Sequence, residues 1–488
     1  MRTEATKAKV LSSLLWKLLE RGGTSGIQFV VQIILARLLL PEEYGLIAIV
    51  SIFITIAGIF VESGLNTALI QKKDTDELDF STVFYTSLAV AAVLYAILFF
   101  AAPGLASFFR EARLVPVIRV LGLTLFIGAV QSIQQAAIAI RLEFKKLFFS
   151  SLGGVLLSGL VGLSMAYAGY GIWALVGQQI ANRLVSTGIL LFLVEWKPSS
   201  SFSLLRLKEL FSFGWKLLVS SLLNTLTYNV RSLIIGRFYD PATLGFFDRG
   251  MSFPGFIITN LNGSIQAVLL PAMASVQEDT DRVRSMMRRS IVTSSFVVFP
   301  MMAGLAVLAE PLVRVLLTDK WLPAVPFMQF ACLSFGLWPI HTANLQALNA
   351  LGRSDIFLKL EVVKMVVGLG VLTISIPFGI YAIALGGVVN GLISTVINAS
   401  PNRKILAYGY LDQLKDVLPS LLLSLLMAGI VSLVRWTGRS SLEQLILGIL
   451  VGSIAYVVLA ARLKLEPYIY LRQTLKDVLA RKKGEGNE

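Results

Sequence analysis

Cysteine and histidine are almost absent from this sequence, which contains one of each, Cys332 and His341. A single cysteine excludes a disulfide within one chain, and with a single histidine it excludes metal sites built from clusters of these residues. Any Ser-His catalytic arrangement would have to centre on His341. Charged residues are also scarce, at 15% of the chain. We therefore expect neither a metal nor a cofactor.

Apolar residues, in contrast, make up 56% of the chain, and the mean hydropathy is +0.75. A soluble domain of this composition would expose more apolar surface than a core can hide. Because a bilayer-spanning helix needs about 20 mostly apolar residues, we predict an all-α polytopic membrane protein with about fourteen transmembrane helices. The predicted spans are 13–38, 45–70, 81–109, 114–139, 147–168, 171–194, 211–238, 244–274, 288–317, 322–350, 356–377, 380–399, 413–435 and 442–462.

Basic residues outnumber acidic ones by 43 to 29. In a soluble protein this excess would suggest an anionic partner such as nucleic acid. Here most of the basic residues fall at one set of helix ends, so we expect no nucleic-acid partner. The positive-inside rule then places both termini in the cytoplasm, which an even number of spans requires.

Two sequence motifs occur twice, in the same order. The first motif matches Trp16–Leu19, Pro41 and Gly45 with Trp215–Leu218, Pro241 and Gly245. The second matches Gly171–Ala174 with Gly379–Ala382. A parallel repeat in an apolar chain is typical of alternating-access transporters, with two similar lobes around a central cavity. The predicted parts are a six-helix lobe over 1–196, a cytoplasmic linker over 197–210, a second six-helix lobe over 211–405, two additional transmembrane helices over 406–465 and a basic cytoplasmic tail over 466–488.

Five basic side chains within or close to the predicted spans are candidates for substrate binding, since a charge at the membrane centre costs about 2.5 to 3.5 kcal/mol on insertion scales. They are Lys17, Arg21, Arg183, Arg231 and Arg249. Lys17 and Arg21 share one helix face, where like charges repel unless an anion lies nearby. Lys17 could instead extend to the cytoplasmic surface and be neutralised by Glu20. Because the planar guanidinium suits phosphate oxygens, arginines converging in a cavity would hold a diphosphate.

Four further residues are candidate counter-ions or coupling residues: Glu62, Asp248, His341 and Lys364. Glu62 could neutralise Arg21, the interpretation we prefer, or carry a proton in a buried site. Asp248 precedes Arg249 directly. Lys364 lies three residues after Glu361, a spacing that favours an ion pair on the helix surface. His341 could titrate near neutral pH, but a lone histidine on an apolar helix is more often a hydrogen-bonded packing residue.

The segment Ile34–Gly45 resembles the opening motif of bacterial polysaccharide transporters of the O-antigen and colanic acid flippase type. Asn229–Phe238 and Leu244–Arg249 resemble the entry to that family's second lobe, with Arg231 where the family commonly has an acidic residue. The wider superfamily also holds multidrug antiporters and the peptidoglycan-precursor flippase. The resemblance implies that the chain translocates a polyprenyl-diphosphate-linked oligosaccharide across the bacterial cytoplasmic membrane, by alternating access, for lipopolysaccharide, capsule or exopolysaccharide.

The expected partners are the lipid-linked oligosaccharide, membrane lipids, and a polysaccharide polymerase and glycosyltransferases. One alternative function is a flippase for the peptidoglycan-precursor lipid; another is a multidrug or cation antiporter, which the excess of basic residues disfavours. A remote alternative is an intramembrane glycosyltransferase with Glu42 and Glu43 as catalytic acids, although Pro41 before them fits a helix start better. A coupling ion, either a proton or sodium, is left open.

Overall fold

The computed structural model describes residues 7–62, 64–72 and 74–484, and within these ranges the chain is helical, with no strand. The helices of the first half are α1 (Lys7–Leu38), α2 (Pro41–Glu62), α3 (Gly64–Gln71), α4 (Glu77–Phe109), α5 (Leu114–Gly122), α6 (Thr124–Arg141), α7 (Phe144–Tyr167), α8 (Ile172–Leu193) and α9 (Leu204–Phe238). Those of the second half are α10 (Pro241–Ala274), α11 (Thr280–Val307), α12 (Ala309–Leu316), α13 (Val325–Gly336), α14 (Trp338–Ala350), α15 (Ser354–Ser375), α16 (Ile380–Ile405), α17 (Tyr410–Arg435), α18 (Ser441–Arg462) and α19 (Glu466–Gly484). Two short 3₁₀ helices, Asp319–Ala324 and Ile376–Phe378, lie between them. The predicted all-α membrane fold is confirmed.

Ten helical segments of the described chain are long and apolar enough to cross a bilayer. Four predicted spans are missing from this set, those that correspond to α1, α8, α9 and α15. Each of these four helices is at least 22 residues long. They fall short because they carry the candidate charges, among them Arg21, Arg183, Arg231 and Lys364. The total of fourteen spans therefore stays a prediction, while the ten apolar segments establish a multi-pass membrane protein.

The first turns of α2 and α10 are in direct backbone contact. A Cβ atom built on Gly45 would overlap the carbonyl oxygen of Pro241, and one built on Gly245 would overlap the carbonyl oxygen of Pro41. Glycine is the residue that lets two backbones approach this closely. The duplicated proline and glycine pair is therefore a packing motif, in which each copy makes room for the other.

The described chain forms two compact units, one ending at Gly245 and one beginning at Phe246. The repeat assigns α9 to the second lobe, but in the structure this helix packs against α2, α3 and α4 of the first unit. The lobe boundaries derived from the repeat stay a prediction about internal symmetry. They differ from the boundary of the compact units because α9 is held by the helices of the first half.

Two segments predicted as connectors are partly helical. Within the predicted linker 197–210, α9 already begins at Leu204, because the Ser203 hydroxyl accepts a hydrogen bond from the backbone N–H of Arg206 and caps the helix. The residues before it are held on α4, where Ser199 bonds Ser81 at 3.0 Å. The predicted basic tail forms α19 over most of its length, and residues 485–488 lie outside the described residues.

Candidate functional site

A cavity of about 510 Å³ lies inside the first compact unit, among α1, α2, α6, α7 and α8. Its lining residues are Thr24, Ser25, Gln28, Ser51, Ile54, Thr55, Gly58, Ile59, Glu62, Thr124, Leu125, Val155, Gln178, Gln179, Asn182 and Arg183. Hydroxyl and amide groups predominate in this lining, within helices that otherwise face lipid or pack together. The lining contains one basic and one acidic residue, and these two are paired.

Arg183 and Glu62 form an ion pair in the cavity wall. The Nη1 atom of Arg183 lies 3.3 Å from Oε1 of Glu62 and donates a hydrogen bond of 2.9 Å to Oε1 of Gln131. A Cβ atom on Gly128 would overlap the Glu62 carboxylate, so glycine at this position creates the space in which the carboxylate lies. The prediction that Glu62 neutralises Arg21 is therefore wrong. Its partner is Arg183, because α2 and α8 bring these side chains together across the bundle.

The Arg183 side chain is 43% exposed, and among the described residues its Nε and Nη2 atoms have no hydrogen-bond partner. The guanidinium thus uses one edge for Glu62 and Gln131 and leaves its other edge open towards the cavity. An open guanidinium edge can bind two phosphate oxygens at once.

Neutral amides extend this polar surface. Gln178 accepts a hydrogen bond of 3.0 Å from Gln32, and Asn182 donates one of 3.2 Å to Ser158. Two buried amide atoms, Oε1 of Gln28 and Nε2 of Gln178, have no protein partner in the part of the chain that the structure describes. Buried polar groups are almost always satisfied, so these atoms are available to water or to a polar ligand.

Lys17 and Arg21 lie on α1, outside the cavity lining. The Lys17 Nζ atom is 3.1 Å from Oε2 of Glu20, the neutralisation that the sequence offered as the alternative. Arg21 is exposed, with no ion pair to any described residue, and it stands one turn before Ser25 on the same helix face. Within the described part of α1, Arg21 is therefore a cation without an ion-pair partner one turn from the lining, whereas Lys17 is paired.

Arg231 is half-buried on α9, and its Nε atom has no partner among the described residues. It does not line the cavity. Gly236 of α9 packs on Ile49 of α2. Arg231 is five residues before Gly236, which places it about 7.5 Å away along the axis of α9. This depth matches that of Ile54, a lining residue.

Arg249 and Asp248 lie in the second compact unit, on α10. Arg249 is buried at 8% exposure, and Asp248 is exposed. Adjacent positions on a helix point about 100° apart, so the two side chains occupy different environments. The convergence of Arg249 with the arginines of the first unit stays a prediction.

His341 and Lys364 have protein partners within the second unit. The His341 ring lies 3.3 Å from Oγ1 of Thr395 and 3.0 Å from Nδ2 of Asn398. Lys364 forms an ion pair of 2.6 Å with Glu361, at the spacing that favours a surface pair. Both arrangements are the structural alternatives that the sequence offered, and a role of either residue in coupling stays a prediction.

The two acids considered for a glycosyltransferase also have structural roles. Glu43 accepts a hydrogen bond of 2.7 Å from the backbone N–H of Leu40, where it caps the start of α2. Glu42 forms an ion pair with Arg113. Both carboxylates are thus engaged within the first compact unit.

Comparison with known proteins assigns the chain to a family. A model of polysaccharide biosynthesis proteins matches residues 34–326, more than half of the chain. The chain belongs to this family. The succinoglycan biosynthesis transport protein ExoT of Rhizobium meliloti (strain 1021) is 25% identical over 460 residues, 91% of each chain. The lipopolysaccharide biosynthesis protein WzxC of Escherichia coli (strain K12) is 24% identical over 399 residues, 80% of each chain.

The fold is that of a solved transporter. The lipid II flippase MurJ, in an inward closed conformation, superposes with a TM-score of 0.75 at 14% identity, covering 92% of this chain and 99% of its own. The resemblance inferred from the sequence motifs is therefore confirmed. This polysaccharide biosynthesis protein is a membrane transporter rather than an enzyme.

Sequence reasoning missed the amides and the glycine that shape this transporter's cavity, namely Gln28, Gln131, Gln178 and Gly128. A signal for some of them is present in the sequence. Gln178 and Asn182 are four residues apart, as are Gln179 and Arg183, so they form a polar stripe on one face of α8. A polar stripe in a predicted span indicates a face turned away from lipid.

Proposed function

We propose that this chain is a flippase that moves a polyprenyl-diphosphate-linked oligosaccharide from the cytoplasmic to the outer leaflet for surface polysaccharide synthesis. The observation that carries the proposal is the open guanidinium edge of Arg183, which faces a cavity lined by hydroxyls and amides. Family membership and the transport role named for ExoT support it.

The cavity suits both parts of a glycosyl diphosphate. The free edge of Arg183 offers parallel N–H donors to phosphate oxygens, and Arg21 adds a second positive charge one turn from Ser25. The amides of Gln28, Gln178 and Gln179 can donate to and accept from sugar hydroxyls. A polyprenyl chain has no such groups and would stay in the bilayer.

A multidrug or cation antiporter would require a free acidic group for its cation. Within the described cavity lining the one carboxylate, Glu62, is paired with Arg183, and Arg21 nearby adds positive charge. The peptidoglycan-precursor lipid carries the same diphosphate group, so it remains the second candidate, supported by the fold shared with MurJ. We propose that both termini lie in the cytoplasm, and that glycosyltransferases and a polymerase act before and after the transport step.

The test is headgroup translocation in vesicles that contain the purified full-length protein and a fluorescent polyprenyl-diphosphate oligosaccharide. We expect accessibility of the headgroup on the far side to rise only in protein-containing vesicles, and to fall when Arg183 is replaced. Runs with and without proton and sodium gradients identify the coupling ion. Translocation at the rate of protein-free vesicles would refute the proposal, and a strict preference for the peptidoglycan precursor would select the second candidate.

A further inference from the structure

A second polar cavity, of about 560 Å³, lies within the second compact unit, where α12, the end of α17 and the start of α18 meet. Its lining residues are Glu310, Pro311, Arg314, Ser432, Arg435, Trp436, Ser441 and Gln444. Its volume is in the range of pockets that hold small ligands. It is distinct from the cavity of the first unit, and its lining comes from α12 of the predicted second lobe and from the two additional helices.

One wall of this cavity is a chain of ion pairs. The Glu310 carboxylate is shared by two guanidiniums, with Oε1 3.2 Å from Nη2 of Arg314 and Oε2 in contact with Nη2 of Arg435. Arg314 also contacts Asp319 at 3.0 Å. Arg314, Arg435 and Glu310 line the cavity, and Asp319, which is outside the lining, offsets the second positive charge. All four side chains are at least one-third exposed. The wall therefore presents alternating donors and acceptors with little net charge.

The rest of the lining offers neutral polar groups and an aromatic surface. Ser432 donates to the carbonyl of Gly429, which leaves its oxygen free to accept, and Gln444 donates its amide N–H to the carbonyl of Arg439. The Trp436 indole, at the end of α17, is 89% exposed. Pro311 is the one aliphatic residue in the lining.

These features discriminate between ligand classes. An acyl chain would leave the hydrogen-bonding groups unsatisfied. A phosphate would meet the Glu310 carboxylate between the two guanidiniums, and like charges repel. Sugar hydroxyls both donate and accept, which matches a charge-balanced wall, and the weakly polar face of a pyranose packs on an exposed indole. We propose that this cavity is a saccharide-binding site.

The position of the site gives it a role. α18 runs from this turn towards α19, so with the C-terminal tail in the cytoplasm, as proposed above, the turn between α17 and α18 lies at the outer face. The inference rests on the proposed function for its sidedness only. A saccharide site there would receive the glycan of the translocated lipid or of the polymer built from it. The two appended helices would then serve product release, separately from the diphosphate cavity.

The test is calorimetric titration of the full-length protein in lipid nanodiscs with the oligosaccharide repeat that mild acid releases from the host cell's lipid carrier. We expect saturable binding, about tenfold weaker in Trp436→Ala and largely restored in Trp436→Phe. Leu433→Ala is the matched control, because Leu433 is 68% exposed at the same end of α17 but does not line the cavity. Comparing one repeat with a fragment of several repeats identifies the released headgroup or the polymer as the source, according to which binds more tightly.

Inorganic diphosphate provides the opposing arm. It should not compete in the wild type, but it should compete in Glu310→Gln, which frees Arg435 and leaves Arg314 paired with Asp319 alone. Equal affinity of Trp436→Ala and wild type would mean that the indole is only an interfacial anchor, and competition by diphosphate in the wild type would make the site an anion site; either result overturns the inference. Arg183→Gln should keep this binding. If the wild-type protein shows Trp436-dependent binding but no transport, the proposed function alone is refuted.

Discussion

Replacing Arg183 with glutamine should separate stability from transport. The variant loses one ion pair and one charge-assisted hydrogen bond to the protein, because the glutamine side chain ends two atoms short of Nη1. If Arg183 holds the substrate diphosphate, transport should fall far more than stability. Transport by Arg183→Lys should be intermediate between that of the wild type and that of Arg183→Gln, because lysine keeps the charge but loses the planar guanidinium.

The structure gives the expected size of the loss of stability and of the loss of transport in Arg183→Gln. At 3.3 Å, Coulomb's law gives about 1.3 kcal/mol in water and about 5 kcal/mol at an effective dielectric constant of 20. The side chains of Arg183 and Glu62 are 43% and 33% exposed, so the pair should contribute near the lower limit, about 1 kcal/mol. A hydrogen bond from a charged group to the substrate contributes about 1.5 to 3 kcal/mol, which corresponds to a ten- to hundredfold loss of transport.

The assay is headgroup translocation in vesicles with matched protein amounts, alongside a thermal melt of the same preparations. The control is Arg282→Gln, which removes an exposed arginine paired at 3.2 Å with Asp279, outside the cavity. We expect Arg282→Gln to transport normally. Normal transport by Arg183→Gln would refute the assignment of the diphosphate to this guanidinium, and a large loss of melting temperature would show that the ion pair is mainly structural.

Three further predictions concern other parts of the fold. Gly128→Ala should displace the carboxylate that its missing side chain accommodates and reduce transport at least severalfold, with little change in protein yield, as translocation assays would show. Gly45→Ala should reduce the amount of folded protein strongly, because the new methyl group overlaps backbone, whereas Gly188→Ala, with open space around it, should be neutral on size-exclusion chromatography. The hydrogen bond from Arg288 holds the pKa of Glu466 below its ordinary value of 4.5, so α19 should stay docked on α11 at neutral pH and be released as the pH falls through the lowered pKa, as spin-label distances would show.

The sign of the last effect follows from the depressed pKa. Above pH 4.5 the carboxylate is ionised in both docked and released states, so the full contribution of the bond is present. In Arg288→Gln the pH dependence should disappear. Release that increases with rising pH would contradict the assignment. For Gly128→Ala, normal transport would mean that the position of the carboxylate does not affect the substrate site.

Much of the membrane architecture followed from local pattern. Apolar segments of about 20 residues predict transmembrane helices by themselves, because each backbone polar group in lipid must be satisfied within its own helix. The repeat likewise marked Gly45 and Gly245 before any contact was visible. Local pattern also separated Arg21 and Arg183 from the rest of the chain, since charges in apolar helices are expensive wherever they occur.

Local sequence pattern did not predict which side chains contact each other. Glu62 was assigned to Arg21, but it pairs with Arg183, because the partner of a charge depends on which helices pack together. Gly128 gave no signal for its role, since the absence of a Cβ atom matters only when another side chain lies opposite. The partners of His341 and Lys364 likewise became known only from the packing of their helices.

The sequence by itself determined that this chain is an all-helical membrane transporter with an internal repeat and intramembrane charges, because hydropathy, spacing and charge are properties of the linear chain. The tertiary structure alone decided that Arg183 keeps one guanidinium edge free while Glu62 and Gln131 hold the other, and that a charge-balanced cavity lies beside Trp436. Both features depend on distances between helices that are far apart in sequence. Such distances are set by packing, where each contact depends on all the others.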